Sequence, residues 1–316
     1  MNCPACQNES RKFGKDRYGN QRFQCFTCRK TSSDRPVKAL GTMRLDVDKA
    51  AKVLHLLLEG MSIRSASRIS GTNRSTIIGL MVKIGERCEE MLAGRIQDMP
   101  VVDVQCDEIW GFVKMKEKTR QDNDVADPTV GDAYCFVAIE RSTKMVLAWH
   151  LGRRCTEDAH TFAHKLSNAT TGRFQITTDG FKPYQRAIPT MMPWADFATL
   201  VKDYATKDDH HRYSPGEVVA QYKTPCCGNP DPDRICTSHI ERKNLTIRMQ
   251  NRRMTRLTNA HSKKWDNHRA AFALQFAFNN FCRVHMTLKM TPAMKAGIED
   301  HPWSIKELIE KTSTLS

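Results

Sequence analysis

At 316 residues the chain exceeds one ordinary domain, so a large core domain with one or two small modules is expected. Forty-nine Lys and Arg against 35 Asp and Glu give a formal charge of +14, which favours a polyanionic partner over a small neutral substrate. No run of eighteen apolar residues occurs and the first residues are polar and Cys-bearing, so the reading is a cytosolic chain with no membrane span. Four of the twelve cysteines stand singly in apolar runs (Cys88, Cys106, Cys135, Cys282), as small hydrophobes do, and not as a disulfide framework. The charge is uneven. Residues 1–100 hold 18 basic and 10 acidic side chains, and Glu241 to Arg269 hold nine basic against two acidic, which suggests two separate contacts with a polymer.

The chain opens with Cys3-Pro-Ala-Cys6 and, eighteen residues on, Cys25-Phe-Thr-Cys28. Two such pairs, brought together by a hairpin turning at Tyr18-Gly19-Asn20, present four thiolates for a closed tetrahedral zinc site in a zinc-ribbon-like module, residues 1–40. About forty residues cannot bury a sufficient core, so zinc would stabilise the module by roughly 10 kcal/mol or more. Arg11, Lys12, Lys15, Arg17 and Arg22 suit a phosphate backbone nearly as well as a solvated face. A polar linker, Thr31 to Thr42 with Pro36 and Gly41, follows.

Three helical patterns come next, Val47–Leu58, Ser62–Ile69 and Asn73 to about Leu92, with Ser62 and Asn73 as caps and a short turn at Ser70-Gly71-Thr72. This order, within residues 41–98, is that of a helix-turn-helix domain. Its third helix would present Asn73, Arg74, Ser75 and Thr76 to base edges of double-stranded DNA.

From residue 99 the pattern turns to β. Val101–Val113 alternates like a strand and carries Asp107 into a core, where a carboxylate needs a cation or a hydrogen-bond network. A nearly apolar-free segment, Lys114–Asp132, is expected to be a loop. Ala133–Glu140 and Lys144–Leu151 read as a hairpin turning at Arg141–Thr143; Thr156 caps a helix to about Asn168, and Arg173–Thr178 is a strand ending at Asp179-Gly180. Three strands, a helix and a fourth strand, with acids on the first and fourth, predict an α/β ribonuclease H-like catalytic domain over residues 99–316. The proline-rich stretch Thr190–Thr237 reads as a strand and a turn-rich insertion. A second zinc site from Cys226, Cys227 and Cys236 with His210 and His211 is conceivable, although adjacent cysteines are awkward ligands for one ion.

Ser238-His-Ile-Glu241 opens a helix expected to run to Leu257. Ser-x-x-Glu is a capping box, so Glu241 can simply serve the helix end. It shares its helical face, however, with Asn244, Arg248 and Arg252, while Ile240, Leu245 and Met249 form a separate apolar stripe. Asp266–His285 reads as a core helix, and Trp303–Ile309 as a short amphipathic one. Asp107, Asp179 and Glu241, 72 and 62 positions apart, would together hold two divalent ions, Mg2+ or Mn2+ by their hard oxygen ligands.

The runs CDEIWGF, ITTDGFKPY, SHIERKNLTIRMQNRRMTRLTNA and NNFCRVHMTLKMTPAMKAG, with the N-terminal cysteine pairs, resemble the IS1 family of insertion-sequence transposases over nearly the whole chain. The resemblance implies a DDE transposase. A zinc module and helix-turn-helix would recognise terminal inverted repeats; Asp107, Asp179 and Glu241 would take the acidic roles, and Arg248 the basic position seven residues beyond the glutamate. It also implies target DNA as a second partner, a homo-oligomer on DNA, and nucleoid association when bound. Glu108, next to Asp107 and so facing the other side of the sheet, is expected to be structural. The competing readings are a ribonuclease H-like nuclease and a non-enzymatic, element-derived regulator.

Overall fold

The computed structural model describes residues 2–34, 38–205 and 216–313, and its contacts divide the chain into two compact units, Met1–Arg44 and Leu45–Ser316. The first is an antiparallel sheet of β1 (Ser10–Lys15), β2 (Gln21–Cys25) and β3 (Thr31–Ser33), in that order. Asp16 shapes its hairpin: Oδ1 accepts from the Tyr18 and Asn20 N–H groups at 2.8 and 3.0 Å, and Gly19 takes the left-handed φ of 86°. Thr31–Ser33, expected to begin the linker, instead pairs with β2, while Pro36 lies outside the described residues.

In the second unit α1 (Val47–Leu58), α2 (Ile63–Ser70) and α3 (Arg74–Arg95) start where capping residues stand. Asp46, Ser62 and Asn73 each accept from an N–H of the first turn, and Gly71 closes α2 in the left-handed conformation. Ile77, Leu80, Met81, Ile84, Cys88 and Met91 recur at helical spacing on α3 and are buried.

The remainder is built on a six-stranded sheet. In chain order come β4 (Met99–Pro100), β5 (Asp103–Val113), α4 (Glu117–Asp122), β6 (Gly131–Glu140), β7 (Val146–Gly152), α5 (Thr156–Ala169), β8 (Thr170–Thr171), β9 (Gln175–Thr178) and α6 (Tyr184–Met191). Then follow β10 (Asp196–Tyr204), β11 (Val218–Cys227), α7 (Ser238–Gln250), α8 (Trp265–Ala277) with a π turn at Phe278–Cys282, α9 (Pro292–Lys295) and α10 (Ile305–Ser313). The strand order is β11-β10-β9-β5-β6-β7; β5, β6 and β7 are antiparallel neighbours, whereas β9 runs parallel to both β5 and β10. Phe136 on one sheet face meets Phe162 of α5 and Tyr184 of α6 at ring distances of 5.7 and 6.2 Å. Trp149, paired with Val137 and so on the other face, meets Phe276 of α8 at 5.6 Å. Helices thus cover both faces of the sheet around β5, β6 and β9, which are largely buried between them.

Several expectations are corrected. The segment expected as a loop carries α4, held by a Glu117–Arg120 pair at 2.6 Å. The cap position of α5 is Cys155, not Thr156, and no side-chain bond caps it. The insertion supplies β11, an almost wholly exposed edge strand, which is why it tolerates Pro225 and hides its alternation. α7 stops at Gln250 because Asn251 leaves helical geometry and its side chain accepts the Arg253 N–H, starting a 3-10 turn, Arg252–Met254. Of the apolar stripe expected on α7, Ile240 is buried, but Leu245 and Met249 are 46% and 69% exposed; Ile247 takes their place against the sheet. Among the described residues no helix is long and apolar enough to cross a membrane.

The helices 41–98 do not pack apart from the sheet: α3 lies along α8, at its closest at Gly85. A Cβ there would stand 2.3 Å from the Ala270 carbonyl oxygen, so a residue that costs a helix up to about 1 kcal/mol is what lets these two approach. Gly85→Ala is therefore expected to lower stability by roughly 1–3 kcal/mol despite alanine's better helix propensity, read from urea unfolding midpoints.

Candidate metal centres

The first centre lies within the N-terminal sheet unit. Cys3, Cys6, Cys25 and Cys28 come together, with Cys3 and Cys28 sulfurs 3.5 Å apart and those of Cys6 and Cys25 3.4 Å apart. Sulfurs about 2.3 Å from a tetrahedral zinc stand about 3.8 Å from one another, so a small outward relaxation admits the ion. Each Cys-x-x-Cys is followed by a residue with left-handed φ, Gln7 at 61° and Arg29 at 56°, so the two knuckles turn alike. The Cys28 N–H donates to Cys25 Sγ at 3.5 Å and holds that thiol down at about 6, which favours the thiolate a metal needs. The four residues can hold zinc.

The second centre is acidic and arises from where one strand ends. β9 pairs with β5 only as far as Thr177, which stands opposite Gln105, and the strand itself ends at Thr178. Asp179 therefore lies in the gap beside Asp107 and Glu108, where both faces of β5 are within reach. One carboxylate oxygen from each of the three lies within 4.8 Å of the others, a group that could hold a metal ion. Glu108 does face the opposite side from Asp107, being paired with Phe136 while Asp107 pairs with Val137. The truncated neighbour nonetheless leaves its longer side chain within reach of the group, a placement that goes beyond the structural role expected of it.

Burial, and then Asp179, push the Asp107 carboxyl up to about 7; the same two causes push Glu108 to about 7. Opposing this, Asp107 Oδ1 accepts the Glu108 N–H and Oδ2 the Asn244 side-chain N–H, both at 2.8 Å. Arg154 reaches Glu108 at 3.2 Å and Asp179 at 3.6 Å, and its guanidinium lies 4.4 Å from the Phe181 ring centre. Asn244 Oδ1 is enclosed without a hydrogen-bond partner, as an oxygen donor awaiting a cation would be, whereas Glu108 is also held by the Tyr184 hydroxyl.

Glu241 is not in this group. Its carboxylate pairs with Lys202 of β10 and accepts the Thr237 hydroxyl at 2.6 Å; this is a bond to the cap residue's side chain, not to the N-cap amide of a capping box. What locks α7 to the sheet is Gln105, two residues before Asp107, whose Oε1 accepts the His239 and Ile240 N–H groups at 3.0 and 3.1 Å. Arg248 donates to the Trp110 and Met254 carbonyls at 3.3 and 3.2 Å, and burial and Arg256 bring its pKa to about 10. Arg252 lies beyond the helix, exposed, and not on the Glu241 face.

At the head of α3, Asn73, Arg74 and Ser75 are exposed and Thr76 is partly so; Asn73 Oδ1 is occupied in capping, accepting the Ser75 N–H at 3.0 Å. Cys226 is the unpaired residue of a bulge on β11 beside Cys227, and Cys236 contacts Ser238 at 3.0 Å; among the described residues these thiols join no group of metal ligands. His210 and His211 lie outside the described residues. Arg154, Lys202 and the metal-facing part of Glu108 were not found in the sequence. Their only signal is the general one that crowded acids need nearby cations.

Two outcomes are expected. Cys25→Ser should lower bound zinc from about one equivalent to near zero, by atomic absorption, and expose residues 2–34 to limited proteolysis while the rest of the chain still melts cooperatively. Because the folded pKa of Asp107 is raised above its unfolded value near 3.9, metal-free protein should lose stability as pH rises from about 4 to about 7. Asp107→Asn should raise the metal-free stability at pH 8 by about 2 kcal/mol and remove most of the rise in melting temperature that Mn2+ produces in the unaltered protein.

No protein-family model matches the chain, and no curated protein matches it. Twenty-two chains of solved structures do match. One is the cryo-EM structure of a piggyBac transposase synaptic complex with hairpin DNA, 10% identical, covering 89% of this chain and 73% of its own, with a TM-score of 0.38.

Proposed function

We propose that this protein is a metal-dependent DNA transposase of the DDE type, related to the IS1 insertion sequences. The observation that carries the reading is the acidic group of Asp107, Glu108 and Asp179 at the end of β9, crossed by a helix bearing Glu241 and Asn244. The strand order supports it: three antiparallel strands followed by two parallel ones, with helices on both faces, is the arrangement of a ribonuclease H-like domain. The net charge of +14 favours a nucleic acid, and the capped α2–turn–α3 segment with its exposed Asn73, Arg74 and Ser75 suits helix-turn-helix contact with terminal inverted repeats. In this reading residues 1–40 form a zinc module, 41–98 read duplex DNA, and 99–316 carry the chemistry, on DNA held by a homo-oligomer.

Asp107 and Asp179 hold Mg2+ or Mn2+ and discharge their mutual repulsion in doing so. A pair of such ions supplies activation of an attacking oxygen and stabilisation of the leaving oxygen of a phosphodiester. Glu241, now paired with Lys202, would be the third acid to hold the metal, while Asn244 keeps Asp107 oriented. Arg248, fixed on the Trp110 and Met254 carbonyls, keeps positive charge beside the terminal phosphate. Water attack at each element end frees a 3′-hydroxyl, and that hydroxyl then displaces a target phosphodiester, so each step breaks one P–O bond and makes one. A second reading, a DNA-binding regulator in which the acids are relics, draws on the Lys202–Glu241 pair.

A labelled duplex carrying the flanking terminal repeat, a target plasmid and Mg2+ or Mn2+ separate the two. Joined product from the unaltered protein, and none from Asp179→Asn or Glu241→Gln proteins that still bind the repeat, is the expected result. Cleavage without joining would favour a nuclease, and binding with neither would favour the regulator.

A further inference from the structure

Asp107, Asn244 and Arg248 draw attention to one side of α7, but the other side is also built. His239 and Lys243 lie about 150° around the helix from Glu241, Asn244 and Arg248, given 100° per residue. Lys144, from the turn between β6 and β7, brings Nζ to within 3.1 Å of His239 Nδ1. Behind the π turn the chain folds back on itself, the His285 N–H bonded to the Met290 carbonyl at 3.0 Å, and this tight turn sets His285 and Arg283 against the same place. His285 senses Lys144, Lys243 and Arg283 as close positive neighbours, and His239 senses Lys144, Arg141 and His285.

The acids whose charge reaches this group, Glu140 and Asp103, both act on Lys144. The two nearest acids are already engaged: Asp103 binds Arg141 at 3.0 Å, and Glu140 Oε2 accepts from Ser142 and Thr143 to shape the hairpin turn. Among the described residues neither Lys243 nor Arg283 has a carboxylate partner, and His285 Nδ1 is enclosed with no hydrogen-bond partner at all. Burial and Arg283 depress Lys243 to about 7, and burial and Lys144 depress both imidazoles. Like charges held together at this cost, with an unfilled donor among them, are what an anion site looks like before its anion arrives.

We infer that Lys144, His239, Lys243, Arg283 and His285 form a phosphate-binding site for the DNA backbone, on the side of α7 away from the acidic centre. The phosphodiester is the ligand class because the donors are several, with positive charge from Lys144, Lys243 and Arg283 and imidazole N–H groups from His239 and His285, as phosphate oxygens require. The assignment to DNA rests on the functional reading above. It also gives a role to the RVHMTLKM stretch, which the acidic centre leaves unused. One helix would then carry the scissile region on one face and anchor the same polymer on the other.

The test is fluorescence anisotropy of a labelled duplex of arbitrary sequence, without added Mg2+ or Mn2+, over a range of NaCl. For the Lys243→Gln/Arg283→Gln protein the expected result is binding at least about ten-fold weaker at low salt, with the slope of log K on log salt reduced by about two. The Mn2+-dependent rise in melting temperature should be unchanged, which excludes misfolding; Arg283→Gln alone, at an exposed position, should reduce the slope by about one. Unaltered affinity and slope in both variants would overturn the site, as would failure of the unaltered protein to bind duplex. Competition by inorganic phosphate as effective as that of duplex at equal phosphate concentration would overturn the backbone assignment in favour of a free anion. Variant-sensitive binding without cleavage or joining in the strand-transfer assay would leave this site standing while the transposase reading fell.

Discussion

Repulsion among three carboxylates is the constraint around which the sheet unit is arranged. At about 4 Å, two unit charges in surroundings of effective dielectric near 20 oppose each other by roughly 4 kcal/mol, more than any one hydrogen bond returns. The acids cannot spread apart, because Asp107 and Glu108 are consecutive on a strand paired along its length with β6, and Phe136, Phe162 and Tyr184 are packed behind Glu108. The fold therefore compensates them in place. Arg154 bridges Glu108 and Asp179, and Asn244 turns its amide to Asp107. What these leave uncompensated is a preference for a proton or a cation.

The helix that crosses the centre is held by the sheet and not by its own end. α7 has no side-chain cap from its N-cap residue; the buried Gln105 of β5 accepts two of its first N–H groups instead. Because Gln105 and Asp107 share a strand face, the same two-residue step that aims Asp107 at α7 also fixes where α7 begins. Asn244 and Arg248 then fall one and two turns along, onto the carboxylate and the Trp110 carbonyl. Glu241, at the first turn, sits over the edge of the sheet, where Lys202 meets it.

The helical segment depends on a different kind of contact. Gly85 removes the side chain that would otherwise separate α3 from α8, and this joins the N-terminal helices to the core under the sheet. Only the head of α3 stays free. Asn73 and Ser75 thus remain exposed while Ile77, Leu80, Met81, Ile84, Cys88, Met91 and Leu92 are buried.

The sequence by itself determined what local chemistry decides. Cap residues marked the starts of α2 and α3, the paired cysteines marked a metal site closed by a short hairpin, and alternation marked β5. It could not show β11, since an exposed edge strand containing Pro225 has no buried face to impose alternation, nor the stop of α7, which depends on Asn251 turning its side chain to the next backbone. Which acids meet was decided only in three dimensions. Glu108 joined because β9 ends two residues short of it, and Glu241 stood aside, paired with Lys202 of β10. Period and spacing record how a strand faces its own neighbours, but the end of a neighbouring strand, and the charge it leaves uncovered, belong to no single stretch of the chain.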